Sequence, residues 1–317
     1  MTALPSADRP IVALTGSTGF IGRHLLRELP KRGYRVRVLL RRPSEVPLEA
    51  ASAVVGDLRQ PQNMSAALAD ADAVIHSAGI AHAMSGVPED DYRALNTEAT
   101  VGLARSAERA GVRRFVFMSS IRAQCGATAQ EIITEDLEPR PDDAYGRSKL
   151  AAEQGLAQLG LDWAALRPVL VYGPGVKGNM ARLADLARTP WPLPLGGLKA
   201  RRSLLALDNL VAAIDTVLKA PGTLRRPFVV ADPEPLTVPA MVAAMRAGLG
   251  RRPGLIPVPA ALLAAAFRAT GRTEAYERLA GSLIAEPPGL RELGWTPAVN
   301  TRDGLAAFAA ESARRIG

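Results

Sequence analysis

The chain has 317 residues, 48% of them hydrophobic and 22% charged, enough for two domains of about 150 residues and unlike a disordered, collagen-like or coiled-coil chain. The formal net charge is +8, yet the cations are mostly scattered arginines, with lysine confined to Lys31, Lys149, Lys177, Lys199 and Lys219. Aromatic residues do not interleave with them, so nucleic acid is not the expected partner. The single cysteine, Cys125, excludes an intrachain disulfide, and His24, His76 and His82 lack zinc-ligand spacing, so no metal is expected.

No stretch reaches the roughly 18 apolar residues of a membrane span; the run from Ala260 to Phe267 is far shorter. The N-terminal MTALPSADRP lacks a basic segment followed by an apolar one, which predicts a cytoplasmic location.

In chain order, short β-branched runs alternate with longer amphipathic ones, the pattern of βαβ units around a parallel sheet. Strands are predicted at Ile11–Thr15, Arg35–Leu40, Ala53–Val55, Ala73–Ser77, Arg114–Ser119 and Trp163–Val171, with helices near Gly19–Lys31, Asp90–Ala110 and Tyr145–Leu159. These predict a doubly wound α/β domain of the Rossmann type over residues 1–173. Gly and Pro clusters then mark a smaller lobe, residues 174–317, interleaved with the first domain. Leu204–Leu218 reads as a helix and Phe228–Val230 as a strand, so that residues 204–231 rejoin the sheet.

The first chemical signal is TGSTGFIG, Thr15 to Gly22, where the first strand must turn into the first helix. Gly16 permits the tight turn, Gly19 lets backbone approach a pyrophosphate, and Gly22 allows close packing of a helix whose N–H groups meet the phosphates. The second is Tyr145 and Lys149, four apart on a predicted helix and therefore on one face. A phenol beside an ammonium and an oxidised nicotinamide is drawn toward phenolate and becomes a usable base, although the same spacing also makes an ordinary exposed helix pair. The third is Ser119–Ser120 at the carboxyl end of a strand, where a hydroxyl can hold a reacting carbinol or simply cap the chain.

Together with GDL at Gly56–Leu58, HSAG at His76–Gly79, LNTEAT at Leu95–Thr100 and RPVLVYGPGVKGN at Arg167–Asn179, these segments resemble the extended short-chain dehydrogenase/reductase family, in its nucleotide-sugar epimerase/dehydratase branch. The resemblance implies that Gly16, Thr18, Gly19, Phe20, Ile21 and Gly22 line an NAD(P) cofactor. It also implies that Asp57 and Leu58 hold the adenine, that Ala78 and Gly79 run along the cofactor, and that Asn96 supports the site. It assigns Ser120 and Tyr145 to the substrate, Tyr145 and Lys149 to the nicotinamide end, and Asn179 and Arg202 to the diphosphate of a nucleotide sugar. A homodimer is also implied.

Departures narrow the reaction. Where 4,6-dehydratases carry an Asp-Glu pair after the active-site hydroxyl residue, this chain has Ile121 and Arg122, which argues against dehydration. Cys125 lies in the same region, read as a buried inert cysteine ahead of a reactive thiol. Arg41 and Arg42 stand where NAD-preferring members place a carboxylate, which puts NADP ahead of NAD. The reading is a nucleotide-sugar 4-epimerase. The alternatives are an NADPH-dependent 4-ketoreductase, a related enzyme on non-sugar carbonyls, or a non-catalytic dinucleotide sensor, which has no use for serine, tyrosine and lysine together.

Overall fold

A computed structural model describes residues 9–45, 47, 50–80, 86–271, 273, 276 and 280–314. His82 and the N-terminal residues 1–8 lie outside the described residues.

The strands are β1 (Ile11–Thr15), β2 (Arg35–Leu40), β3 (Ala51–Val54), β4 (Ala73–His76), β5 (Arg114–Met118), β6 (Trp163–Pro168), β7 (Leu170–Tyr172), β8 (Arg201–Arg202), β9 (Leu204–Ala206), β10 (Arg226–Val230) and β11 (Leu236–Thr237). The helices are α1 (Phe20–Glu28), α2 (Met64–Leu68), α3 (Glu89–Tyr92), α4 (Ala99–Arg109), α5 (Ala144–Ala157), α6 (Asn179–Arg188), α7 (Leu207–Lys219), α8 (Val238–Gly248), α9 (Ala260–Ala269), α10 (Pro288–Glu292) and α11 (Thr301–Arg314).

Seven strands form one parallel sheet in the order β10-β6-β5-β4-β1-β2-β3. The period-2 alternation of side chains supplies two apolar layers. Leu14, Val38, Ile75, Val116 and Leu166 face Leu25 of α1 and Leu210, Ile214 and Val217 of α7. Their neighbours Ala13, Leu39, Val74, Phe115, Phe117 and Ala165 face Leu103 of α4 and Leu156 of α5. This is the doubly wound α/β fold expected from the strand-helix alternation. A third cluster, including Tyr172, Met180, Leu193, Met241, Met245, Leu305 and Phe308, packs α6, α8 and α11 together.

Three elements differ from the sequence reading. The strand read as Trp163–Val171 divides at Pro168, which has no N–H to donate; β6 stays in the main sheet and β7 pairs instead with β9. Leu204–Ala206, read as the start of a helix, is therefore strand, and α7 begins at Leu207. The stretch read as one helix from Asp90 to Ala110 contains a π-helical segment, Arg93–Glu98, between α3 and α4. Among the described residues, no helix is long and apolar enough to cross a membrane.

Candidate active site

Parallel strands place their carboxyl ends at one edge, and the order reverses between β1 and β4, the point where an open α/β sheet leaves a crevice. The glycine turn follows β1. Gly16 has φ of +73°, and a Cβ on it would lie 2.6 Å from the Ala78 nitrogen, so only glycine fits between β1 and β4. A Cβ at Gly22 would lie 2.0 Å from the Gly16 carbonyl oxygen, which explains how closely α1 docks on the turn. Gly19 precedes α1 with no side-chain cap, leaving the first-turn N–H groups open to an anion.

A cavity of about 570 Å³ opens beside this turn, lined by Thr15 to Thr18, Leu40 to Ser44, Gly56 to Arg59, Ala78 and Ile80. Arg41 and Arg42 are exposed on its wall at the end of β2. Asp57 is held by a residue that sequence reasoning did not single out: Arg59 Nε donates to both its oxygens at 3.1 Å and Nη2 donates at 2.6 Å. That pairing lowers the Asp57 carboxyl to about 2. Leu58 and Thr18 also line the cavity, while Phe20 and Ile21 are half-buried at the start of α1. The turn without a Cβ, the open helix N-terminus and the adjoining cavity fit a dinucleotide.

Behind β4 runs a buried relay. Ala78 N donates to Thr15 Oγ1 at 3.2 Å, Thr15 Oγ1 meets His76 Nδ1 at 2.7 Å, His76 Nε2 meets Thr100 Oγ1 at 3.0 Å, and Thr100 Oγ1 donates to the Asn96 carbonyl at 2.7 Å. Because the Thr100 proton goes to a carbonyl, the consistent tautomer places the imidazole proton on Nε2. Burial lowers the His76 pKa to about 3, so the ring is neutral.

Asn96, fully buried in the π-helical segment, accepts from Ile80 N at 2.8 Å and donates to the Ile80 carbonyl and Ser148 Oγ, each at 3.1 Å. It thereby fixes the backbone after β4 against α5. A Cβ at Gly79 would lie 2.7 Å from Asn96 Oδ1 and 3.5 Å from Lys149 Nζ.

Ser120 follows β5, and Tyr145 and Lys149 lie on α5, whose N-terminus is capped by Asp143 accepting from Gly146 N at 2.6 Å. Ser120 Oγ accepts from Arg122 N at 3.1 Å, which leaves its proton for the Tyr145 oxygen. Burial pushes the Tyr145 phenol up to about 12, and the bond from Ser120 opposes that rise. The expectation that the neighbouring ammonium draws the phenol toward phenolate is therefore not met by the protein's groups alone. Lys149 Nζ lies 6.0 Å from the Tyr145 ring centroid and donates to the Met118 carbonyl at 2.8 Å. Burial lowers its pKa to about 8, and Glu153 opposes that shift.

Glu153, one turn beyond Lys149, anchors a buried network that sequence reasoning also missed. It accepts from Arg167 Nε at 3.1 and 3.2 Å, from Arg167 Nη2 and from Ser119 Oγ, while Arg167 Nη1 donates to Gln124 Oε1 and Gln124 donates to the Leu137 carbonyl. The spacing of Tyr145, Lys149 and Glu153 at four-residue steps was the readable signal. Arg122 Nη2 pairs with Asp142 and with Asp143 at 2.7 Å; burial lowers the Arg202 pKa and the Arg122 charge adds to that, while the same charge opposes the rise at Tyr145. Arg202 lies on β8, half-buried, with Nη2 donating to the Ala127 carbonyl. Asn179 is exposed as the first residue of α6. Cys125 is buried, and burial raises its thiol to about 11, the behaviour of an inert cysteine.

A model of the NAD dependent epimerase/dehydratase family matches residues 12–231. A UDP-glucose 4-epimerase from Vibrio cholerae is 34% identical over 306 residues, covering 93% of this chain and 93% of its own. A 2-alkyl-3-oxoalkanoate reductase from Stenotrophomonas maltophilia (strain K279a) is 28% identical, over 95% of this chain and 99% of its own. Among solved structures, MoeE5 in complex with UDP-glucose and NAD superposes with a TM-score of 0.73 at 27% identity, covering 96% of this chain and 99% of the other.

Proposed function

This chain belongs to the NAD dependent epimerase/dehydratase family, and from that premise we propose that it is an NAD(P)-dependent epimerase acting at carbon 4 of a UDP-hexose or UDP-N-acetylhexosamine. The observation that carries the reading is the hydrogen-bonded Ser120–Tyr145 pair with Lys149 one turn along α5, Lys149 Nζ lying close to Gly79, which follows β4, the strand paired with the one that enters the glycine turn. Nicotinamide, when bound, supplies hydride acceptance and return. Ser120 orients the carbon-4 hydroxyl and Tyr145 takes its proton, then returns a proton once the keto sugar has presented its other face. Since burial holds the phenol protonated near neutral pH, ionisation requires added positive charge in the groove; Lys149, with its pKa near 8, still carries an ammonium there. Arg202 and Asn179 hold the diphosphate, and the absence of an acid pair at Ile121 and Arg122 argues against 4,6-dehydration.

A second reading, an NADPH-dependent reductase of a keto sugar or other carbonyl, is favoured by Arg41, Arg42 and Arg59 around the adenosine end of the cavity. Arginine there suits a 2′-phosphate, and the Stenotrophomonas maltophilia relative is a full-length reductase. Two assays separate the readings: UDP-glucose and UDP-N-acetylglucosamine without added cofactor, followed for carbon-4 inversion by NMR, and NADPH oxidation with a UDP-4-keto-6-deoxy sugar. Inversion in the first supports the epimerase. Failure of inversion with stoichiometric NADPH consumption in the second assigns the reductase.

A further inference from the structure

The second lobe carries a face that the chemistry above does not use. Helix α9, AALLAAAFRA, is apolar nearly all round, yet Leu263 is its one buried residue. Helices of that composition are ordinarily enclosed by protein or lipid. Leu262 is 62% exposed, and Ile256, just before the helix, is 48% exposed. Trp191 is 72% exposed, whereas Trp163 and Trp295 are both buried at 4%.

The Trp191 backbone is tied to the segment that leads into that helix. The buried Arg246 donates from Nη2 to the Trp191 carbonyl at 2.8 Å and the Thr189 carbonyl at 3.1 Å, and from Nη1 to the Pro253 and Gly254 carbonyls at 2.8 and 3.2 Å. Leu193 N donates to the Gly254 carbonyl at 2.9 Å, and Ile256 N donates to the Leu193 carbonyl at 2.8 Å. The segments around Trp191 and Ile256 thus form one ledge leading into α9. Lys199 joins the same face, lining a depression with Pro257, Val258, Pro259 and Ala260.

The exposed charges described on this ledge are Lys199, Arg201, Arg251, Arg252 and Arg268; Arg188 is paired with Asp185, Arg246 is buried, and Glu274 and Glu277 follow α9 in the sequence. An isologous contact with a second copy would set these cations against each other, and a polyanion without an apolar phase would leave α9 and Trp191 in water. An anionic bilayer surface satisfies both features: headgroups for the arginines and the acyl boundary for Trp191, Ile256 and Leu262.

We propose that this ledge and α9 form a peripheral docking face for an anionic membrane surface. The test is flotation of the full-length protein with vesicles of phosphatidylcholine alone or with about 30% phosphatidylglycerol, at low and high salt, with intrinsic tryptophan fluorescence recorded. Binding is expected with the anionic vesicles and to weaken with salt, with a blue shift that Trp191→Phe abolishes while binding persists. Since each surface arginine contributes roughly a fivefold factor, the triple change of Arg251, Arg252 and Arg268 to Gln weakens binding by about a hundredfold. Leu262→Glu weakens it with melting temperature and cofactor binding unchanged, which separates loss of the face from loss of the fold. Absence of binding to either vesicle, binding indifferent to the anionic lipid, or a dimer in light scattering that Leu262→Glu dissociates without any vesicle binding, each overturns the proposal.

Discussion

Replacing Glu153 by Gln removes the carboxylate that lies 4% exposed against Arg167, itself 3% exposed. Arg167 would then keep its charge in the interior with only neutral amide oxygens as side-chain acceptors, and Ser119 would lose a charged acceptor. Breaking a buried pair from one side costs about 3–5 kcal/mol. At roughly 2 °C per kcal/mol for a chain of this size, the melting temperature falls by about 6–10 °C. Removing both charges, Glu153→Leu with Arg167→Met, avoids the stranded cation and recovers most of that loss. The same change reaches the catalytic groups. Glu153 opposes the burial that lowers Lys149 to about 8, so Glu153→Gln moves that pKa lower still. Activity that depends on the ammonium is lost as pH rises through about 8 in the unmodified protein and at a lower pH in the variant. Calorimetric melts of the three proteins, with turnover measured across pH on the residual folded enzyme, read both effects. A single variant that melts with the unmodified protein, or a double variant less stable than the single, would show that the Glu153–Arg167 pair does not stabilise the interior in this way.

Other consequences concern separate parts of the molecule. If Arg41 and Arg42 meet a 2′-phosphate, titration of the unmodified protein gives tighter binding of NADP than of NAD, and changing both to Ser erases the difference. Arg202→Ala weakens UDP binding in calorimetry by roughly 2–5 kcal/mol, because a half-buried guanidinium against a diphosphate is not replaced by water. Asp232, accepting from Asn209 Nδ2 at 2.7 Å, Ala206 N at 3.0 Å and Tyr172 Oη at 3.1 Å, is raised by burial from 3.8 to about 6. Its folded form therefore holds a proton more tightly than the unfolded chain. The resulting stabilisation is fully present below about pH 4 and is lost as pH rises through about 6, a difference of about 3 kcal/mol that Asp232→Asn removes from the pH dependence of melting.

The sheet was legible because its inner strands are buried on both faces and read as short apolar runs, so β1 and β2 appear at the residues that periodicity indicates. What escaped depends on contacts between distant segments. Nothing local in LLA says that it will pair with Leu170–Tyr172, and only that pairing turns Leu204–Ala206 into strand. The π-helical segment around Asn96 has helical composition throughout; its wider turn coincides with the place where the amide reaches Ile80 and Ser148. In the candidate site, Ser120, Tyr145 and Lys149 were readable from spacing and strand position, whereas Arg59, Arg122 and Arg167 sit among so many arginines that composition conceals them. Their partners become apparent only when Asp57, Asp142, Asp143 and Glu153 are brought to them.

In the proposed reaction Tyr145 is the group that moves the substrate proton. The direct measurement compares Tyr145→Phe with the unmodified protein for turnover of the identified sugar and for NAD(P) affinity, in the same preparation. The phenyl ring keeps the edge contact with Tyr92, whose ring centroid lies 6.0 Å away, so fold and cofactor site are preserved. The expected result is a loss of turnover of about 10²-fold or more with cofactor affinity unchanged within about threefold. Near-normal turnover by the phenylalanine variant would contradict it.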